Sequence, residues 1–111
     1  MRTQKDREGY RLYRLAGGLL DMYDGAEELE RAKEAAREKA CRGIEGKKIK
    51  DAVGSAIEKN IINRAKWDYE SLTRAYELPI SERDFCRRKR VYAEELVRKL
   101  GVIVGKNCDI I

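Results

Sequence analysis

Apolar residues recur at steps of three and four along most of this chain, and a single proline interrupts them. Such spacing is typical of helices that bury one face. The clearest stretch runs from Ile49 to Leu72 and places its aliphatic side chains on one helical stripe. Pro79 then disfavours helical geometry in the residue before it. With 111 residues the chain is long enough for one domain, so we predict a single all-α domain over residues 1–111.

Four helices are predicted, at 4–22, 26–42, 48–77 and 82–100. The second is the strongest, because 26–42 consists almost wholly of strong helix formers. Its apolar stripe is thin, which favours packing against one neighbouring helix over a short coiled-coil arm. Residues 1–46 therefore form a charged N-terminal helical part. The third helix can break around Asn60–Asn63, which would make five helices, because asparagine disfavours helix interiors.

The two ends of the last helix carry local signals. Ser81 is placed to cap its N-terminus, and Gly101 is placed to end it. Beyond Gly101, two short β-prone stretches surround a Gly-x-Asn turn. This tail is expected to be short and extended, either docked on the core by its aliphatic residues or folded as a minimal hairpin.

Absences exclude several function classes. The chain has no histidine, which removes Ser/His and Cys/His catalysis and histidine metal sites. Cys41, Cys86 and Cys108 lack zinc-site spacing, and their odd number argues against a disulfide framework. We therefore expect three reduced thiols and a cytoplasmic protein. No apolar run is long enough for a membrane span or a signal-peptide core, so no membrane partner is expected.

Candidate enzyme sites are weak. Glu94 and Glu95 are neighbours on a predicted helix, so their carboxylates point in different directions and cannot work as a pair. Cys86 lies in a basic run but has no base beside it in the sequence. We therefore predict no enzymatic activity, no cofactor and no metal.

Lysine and arginine outnumber aspartate and glutamate by 25 to 20, and this net charge of +5 favours an anionic partner.

The segment 69–100 has the order of a helix-turn-helix. Such a motif needs a small residue in its first helix, an aliphatic residue soon after, a capped turn, and an apolar residue four positions past the cap. Ala75, Leu78, Ser81 and Phe85 occupy these positions. Pro79 stands where such motifs often have glycine.

The second helix of this segment divides into two sides. At about 100° per residue, Tyr92 and Leu96 fall on the same side as Phe85. An arginine stripe lies opposite, which is the layout of a recognition helix in the major groove of DNA. Arg88 and Lys89 fall nearer the inward side, so their long side chains would have to extend back toward the surface to reach phosphate. The alternative is a solvated basic face. The candidate DNA-binding residues are Arg83, Arg87, Arg88, Lys89 and Arg90.

The segment 78–101 resembles the C-terminal end of the ArpU-like late-gene activators, which are small phage-encoded transcriptional regulators. The matching positions are Ile80, Ser81, Phe85, Arg87 to Arg90, Ala93, Leu96, Leu100 and Gly101. The resemblance covers about a quarter of the chain and does not extend to residues 1–60. It implies a sigma-factor-like helix-turn-helix, a phage or prophage origin, and sequence-specific binding to duplex DNA.

A second hypothesis comes from another class. A small, charged, helical phage protein can act as an inhibitor, of the anti-CRISPR kind or directed at another host factor. It would bind a host nucleoprotein or nuclease through the basic helix or through the acidic stretch 24–38. The sequence leaves activator, repressor and inhibitor open, and it does not specify an oligomeric state.

Overall fold

The computed structural model describes the backbone of residues 4–107 and the side chains of residues 9–100. Within that range the chain forms helices only, which confirms the small all-α domain. The helices are α1 (Gln4–Met22), α2 (Glu27–Ala40), α3 (Lys47–Ile62), α4 (Tyr69–Tyr76) and α5 (Glu82–Asn107).

The fold is organised around α5. This helix packs along α2 on one flank and along α1 on the other, while α3 contacts its inner side. Phe85, Tyr92, Leu96 and Leu100 are almost completely buried on that inner side. The inward direction predicted from the helical period is therefore confirmed, and among the described residues Arg83 and Arg87 lie on the exposed side of α5.

The charged helix α2 is a packed element of the domain. Its buried stripe consists of Leu29, Ala32, Ala36 and Ala40. Because alanine side chains are small, the backbone of α2 can approach that of α5 closely. A thin apolar stripe is therefore enough to pack α2 against its neighbour. The prediction that α2 packs against a neighbouring helix is confirmed.

The predicted helix over 48–77 is two helices. Asn63 leaves helical geometry, and its side-chain oxygen accepts the backbone N–H of Lys66 at 3.2 Å. Asp68 then caps α4 by accepting the N–H of Ser71 at 2.8 Å. These local bonds compete with the helical ladder, so a single helix through 63–68 was the wrong prediction and the suspected break near Asn60–Asn63 is confirmed.

At the start of α5 the sequence signal holds, whereas at its end it fails. The backbone N–H of Asp84 donates to Ser81 Oγ at 3.1 Å, which confirms the predicted cap. Gly101 does not end the helix, which continues to Asn107, so the extended conformation predicted for 102–107 is wrong. One helical glycine costs only about 1 kcal/mol relative to alanine, which neighbouring helical residues can offset. Residues 108–111, including Cys108, lie outside the described part.

Two further properties of the described part bear on function. Between residues 4 and 107, no helix combines the length and hydrophobicity that a bilayer crossing requires. Cys41 is buried and Cys86 is exposed, and both are free thiols.

Candidate nucleic-acid interface

The turn before α5 is fixed by Tyr69, the first residue of α4. Its hydroxyl donates to the carbonyl oxygen of Ile80 at 2.6 Å. Its ring lies 5.8 Å from that of Phe85, between ring centres. Leu78 is buried in the same turn. These contacts hold the N-terminus of α5, where a recognition helix would meet DNA, in a defined position.

The packing of α4 departs from the predicted helix-turn-helix. Helix α4 packs mainly on α3, and Ala75 is exposed, so its role as the small residue in the helix contact is wrong. At about 100° per residue, Tyr69 and Tyr76 flank one side of Leu72 and Ala75 lies on the other. The side of α4 that carries the bulky Tyr69 and Tyr76 packs against the core. Ala75 lies on the other side and is therefore exposed.

Two of the five predicted arginine and lysine positions are exposed, and a third, Arg90, is half-buried with its guanidinium near Gly9 of α1. Arg83 is exposed, the side chain of Arg87 is 65% exposed, and that of Arg90 is 37% exposed. Arg87 pairs with Asp84 at 2.6 Å, and Arg90 pairs with Glu94 at 2.8 Å. Exposed pairs within one helix contribute about 0–1 kcal/mol, so a phosphate group can replace the carboxylate at small cost.

Arg88 points the other way. Its guanidinium donates to the carbonyl oxygens of Ala40 at 2.8 Å and Arg42 at 2.9 Å. A third bond reaches Asp84 at 3.0 Å. Since Ala40 ends α2, Arg88 satisfies carbonyls that the helix itself leaves without partners. Arg88 is 8% exposed, and a duplex cannot reach it in this structure, so its function here is to join α5 to α2.

Asp84 organises the first turn of α5. Hydrogen bonds from Arg88 and then Arg87 lower the pKa of its carboxyl group. The carboxylate therefore stays ionised and holds one arginine inward and the other outward. The side-chain hydrogen bonds of Asp84 among the described residues go to these two arginines.

Lys89 is also buried. The residue is 6% exposed, and its Nζ lies 3.9 Å from the centre of the Tyr13 ring on α1. Burial, followed by the nearby charge of Arg64, lowers the pKa of Lys89 to about 8. The prediction that Arg88 and Lys89 lie toward the inward side is confirmed. Neither belongs to the outward surface of α5.

The loop between α3 and α4 supplies a cation that the sequence prediction missed. Arg64 is exposed, and its charge acts on both Lys89 and Tyr13. Trp67 lies in the same loop, and the Nζ of Lys59, in the last turn of α3, lies 4.4 Å from the centre of its ring. Alternation of cations and an aromatic residue over 64–67 was the available signal. Because residues 64–67 fell inside the predicted helix 48–77, this signal did not lead to a prediction.

The buried carboxylate of Glu58 on α3 is fully hydrogen-bonded within the fold. Glu58 accepts two bonds from Arg37, each of 2.7 Å, and a third of 2.7 Å from the hydroxyl of Tyr92. Both carboxylate oxygens are thus occupied, so Glu58 is not placed to act as a general base. In the described part of the chain, no cluster of cysteine, aspartate or glutamate side chains could hold a metal ion.

Comparisons with protein-family models, with curated proteins and with solved structures found no match for this chain.

Proposed function

We propose that this chain is a DNA-binding transcriptional regulator that contacts duplex DNA through the outward side of α5. The observation that carries the proposal is the arginine face, formed by the exposed Arg83 and Arg87 with the half-buried Arg90 at its edge near α1, on a helix whose other side is anchored in the core. Anchoring on α1 and α2 holds this face rigidly, so little ordering entropy is lost when DNA binds.

The position of each arginine along α5 assigns it a contact. Arg83 and Arg87 lie in the first two turns, which enter the major groove most deeply in a recognition helix. There the planar guanidinium group can make two hydrogen bonds to guanine. Arg90 lies one turn further on, where the helix leaves the groove, and contacts backbone phosphate. The net charge of +5 supports association with a polyanion.

The regulatory and phage parts of the proposal depend on the resemblance of residues 78–101 to the ArpU-like activators. The capped start of α5 and the buried Phe85, Leu96 and Leu100 support this alignment. The exposed Ala75 shows that α4 and α5 are not packed in the usual way. We therefore propose that α1 and α2 present α5 to DNA.

The proposal is tested by fluorescence anisotropy with duplex DNA over a salt series. The double change Arg83→Ala and Arg87→Ala should weaken binding at least tenfold, since one good arginine–guanine pair is worth about 1–3 kcal/mol. The matched control is Arg31→Ala with Lys48→Ala, which removes the same charge from exposed positions on α2 and α3. Equal affinity of the Arg83/Arg87 variant and the wild type would overturn the proposal.

Single changes separate base contacts from phosphate contacts. Arg87→Ala should relax the preference at one base pair of a selected target sequence. Arg90→Ala should weaken binding on all sequences alike and reduce the slope of log affinity against log salt by about one. If both variants had the same effect on every sequence, the assignment of roles along α5 would be wrong.

An inhibitor of a host nucleoprotein or nuclease is the second candidate, and α2 favours it. Glu28, Glu34 and Glu38 are exposed on this helix and form no ion pair with any described residue. Such carboxylates suit a cationic groove that normally holds nucleic acid. Failure to bind DNA at low salt, together with a stable complex with a host nuclease that Glu34→Lys abolishes, would establish this candidate instead.

A further inference from the structure

One face of α1 lies open among the described residues. Leu15 and Met22 on this helix are 51% and 66% exposed. Between them, a Cβ added to Gly18 would meet nothing within 4 Å. The opposite face of α1, which includes the buried Leu19 and Leu20, packs in the domain against α5 and α3. Exposed apolar side chains that share one side of an anchored helix can form an interface with another molecule.

The charges on the outward face of α1 are divided between its two ends. Arg11 and Arg14 lie in the middle of the helix, and Asp21 and Asp24 lie at and just beyond its C-terminal end. All four are exposed, and none forms an ion pair with a described residue. An aspartate in the last turn of a helix opposes the helix dipole. The position of Asp21 is therefore not explained by the stability of α1 itself.

The order of these charges is complementary to itself. Arg14 and Asp21 are equally distant in sequence from the point between positions 17 and 18, and Arg11 and Asp24 are equally distant from the same point. A two-fold axis at that point brings Arg14 of one copy beside Asp21 of a second copy, and Arg11 beside Asp24. Each of these pairs then occurs twice. A parallel arrangement of the two helices would bring like charges together instead.

The apolar residues agree with the same axis. At about 100° per residue, Leu15 and Met22 lie about 20° apart on one edge of the outward face. Arg14 and Asp21 also lie about 20° apart, nearer the other edge. In an antiparallel pair, a two-fold axis perpendicular to the plane of the two helices makes each edge meet its equivalent. Leu15 then lies about 3 Å along the helix from Met22 of the second copy.

We propose that two copies of this chain associate as an antiparallel, two-fold symmetric pair through the outward face of α1. This face extends over about 18 Å of helix, so the buried area is smaller than that of a standard interface and the affinity is micromolar or weaker. The inference concerns the free chain and does not depend on the proposed function. The residues that form the face are Arg11, Arg14, Leu15, Gly18, Asp21 and Met22.

Sedimentation equilibrium of the full chain, from about 1 µM to 1 mM and without nucleic acid, measures the association. The average mass should rise with concentration from one chain toward two. Leu15→Gln with Met22→Gln should remove this rise, because these exposed side chains lose their contact with water only in the pair. Ile49→Gln, at an exposed apolar position of α3, is the control and should retain it.

The proposal is overturned if the mass stays at one chain over the whole range. It is also overturned if the Leu15/Met22 variant associates as strongly as the wild type does. Thermal melts of both variants check the fold, which should be retained because the changed side chains are exposed.

Charge reversal tests the antiparallel register. Arg14→Asp and Asp21→Arg should each weaken the pair about tenfold, because two-fold symmetry converts two attractive contacts into two repulsive ones. The chain that carries both changes should associate as the wild type does. An equimolar mixture of the two single variants should form a heterodimer, since opposite charges then face each other at both ends. Arg74→Asp, at an exposed position of α4, is the control and should leave the association unchanged.

Failure of both the doubly changed chain and the mixture to associate would overturn the antiparallel pair. Since DNA is absent from these measurements, the pair and the proposed function fail independently. A chain that binds DNA but stays monomeric would overturn the pair alone. A dimer that does not bind DNA would overturn the proposed function alone.

Discussion

The buried charged side chains on the two flanks of α5 have different kinds of partner. On the flank facing α2, Arg88 is bound by the carbonyl oxygens of Ala40 and Arg42, and Glu95 is bound by Lys39 at 3.1 Å. On the flank facing α1, Lys89 lies over the ring of Tyr13 and has no carboxylate partner among the described residues. On one flank the buried charges are bound by hydrogen bonds and ion pairs, whereas on the other the described partner of the cation is an aromatic ring.

The charges on the flank facing α2 stabilise the folded state, whereas the charge of Lys89 on the flank facing α1 destabilises it. Removing one partner of a compensated buried group leaves the other without compensation and is strongly destabilising. Removing an uncompensated buried cation relieves its desolvation cost. Substitutions on the two flanks should therefore change the free energy of unfolding in opposite directions.

The largest effect is expected for Arg88→Met, which keeps an apolar stem but leaves Asp84 and two carbonyl groups without their donor. The free energy of unfolding should fall by about 3–5 kcal/mol. Urea denaturation measures it, with Arg87→Met as the control on the neighbouring, 65% exposed side chain. That control should stay within about 0.5 kcal/mol of wild type. Similar losses in both variants would contradict the structural role of Arg88.

Lys89→Met should have the opposite sign and raise the free energy of unfolding at pH 7. A pKa lowered from 10.5 to about 8 corresponds to at most about 3 kcal/mol. The unfolded chain binds the proton more tightly, so wild-type stability rises with pH between about 8 and 10.5. The advantage of the variant should therefore be complete below pH 8 and fade above it. A variant that is less stable than wild type at pH 7 would show that Lys89 is compensated.

Glu95→Gln tests the compensated flank from the acidic side. Hydrogen bonds from Arg98 and Lys39 lower the pKa of Glu95 from 4.5 to about 2. Its contribution to stability is thus fully present above pH 4.5 and is lost as the pH falls toward 2. Both partners are exposed, so we expect a loss of about 1–2 kcal/mol at pH 7. Denaturation curves of variant and wild type should converge near pH 2, and a constant difference would be contrary to this assignment.

The smallest change in the free energy of unfolding is expected for Gly54→Ala, on α3 beside the Arg37–Glu58 pair. A Cβ on Gly54 would lie 3.0 Å from the Cγ and Cδ atoms of Arg37, so Gly54→Ala must displace this side chain. We expect a net loss of about 1 kcal/mol, because strain exceeds the gain in helix propensity. Gly18→Ala is the control, since its Cβ would meet nothing within 4 Å. It should stabilise α1 by about 0.5–1 kcal/mol, and equal thermal shifts for both variants would refute the close packing at Gly54.

The sequence by itself determined the helical class, the inward side of α5 and the cap at Ser81. Burial of one helical face imposes a period of 3.6 residues, so the position of Phe85 fixes those of Tyr92 and Leu96. The bond from the Asp84 N–H to Ser81 spans three residues and is local. The break at 63–68 was only partly determined, because its caps compete with a strong apolar stripe that continues through it.

Only the tertiary structure decided what the neighbouring cations Arg88 and Lys89 do. Both lie on the inward half of α5, but Arg88 meets the end of α2, 46 and 48 positions away in sequence, and Lys89 meets an aromatic ring on α1. The period of a helix gives the direction of a side chain, whereas its partner depends on which distant segment packs there.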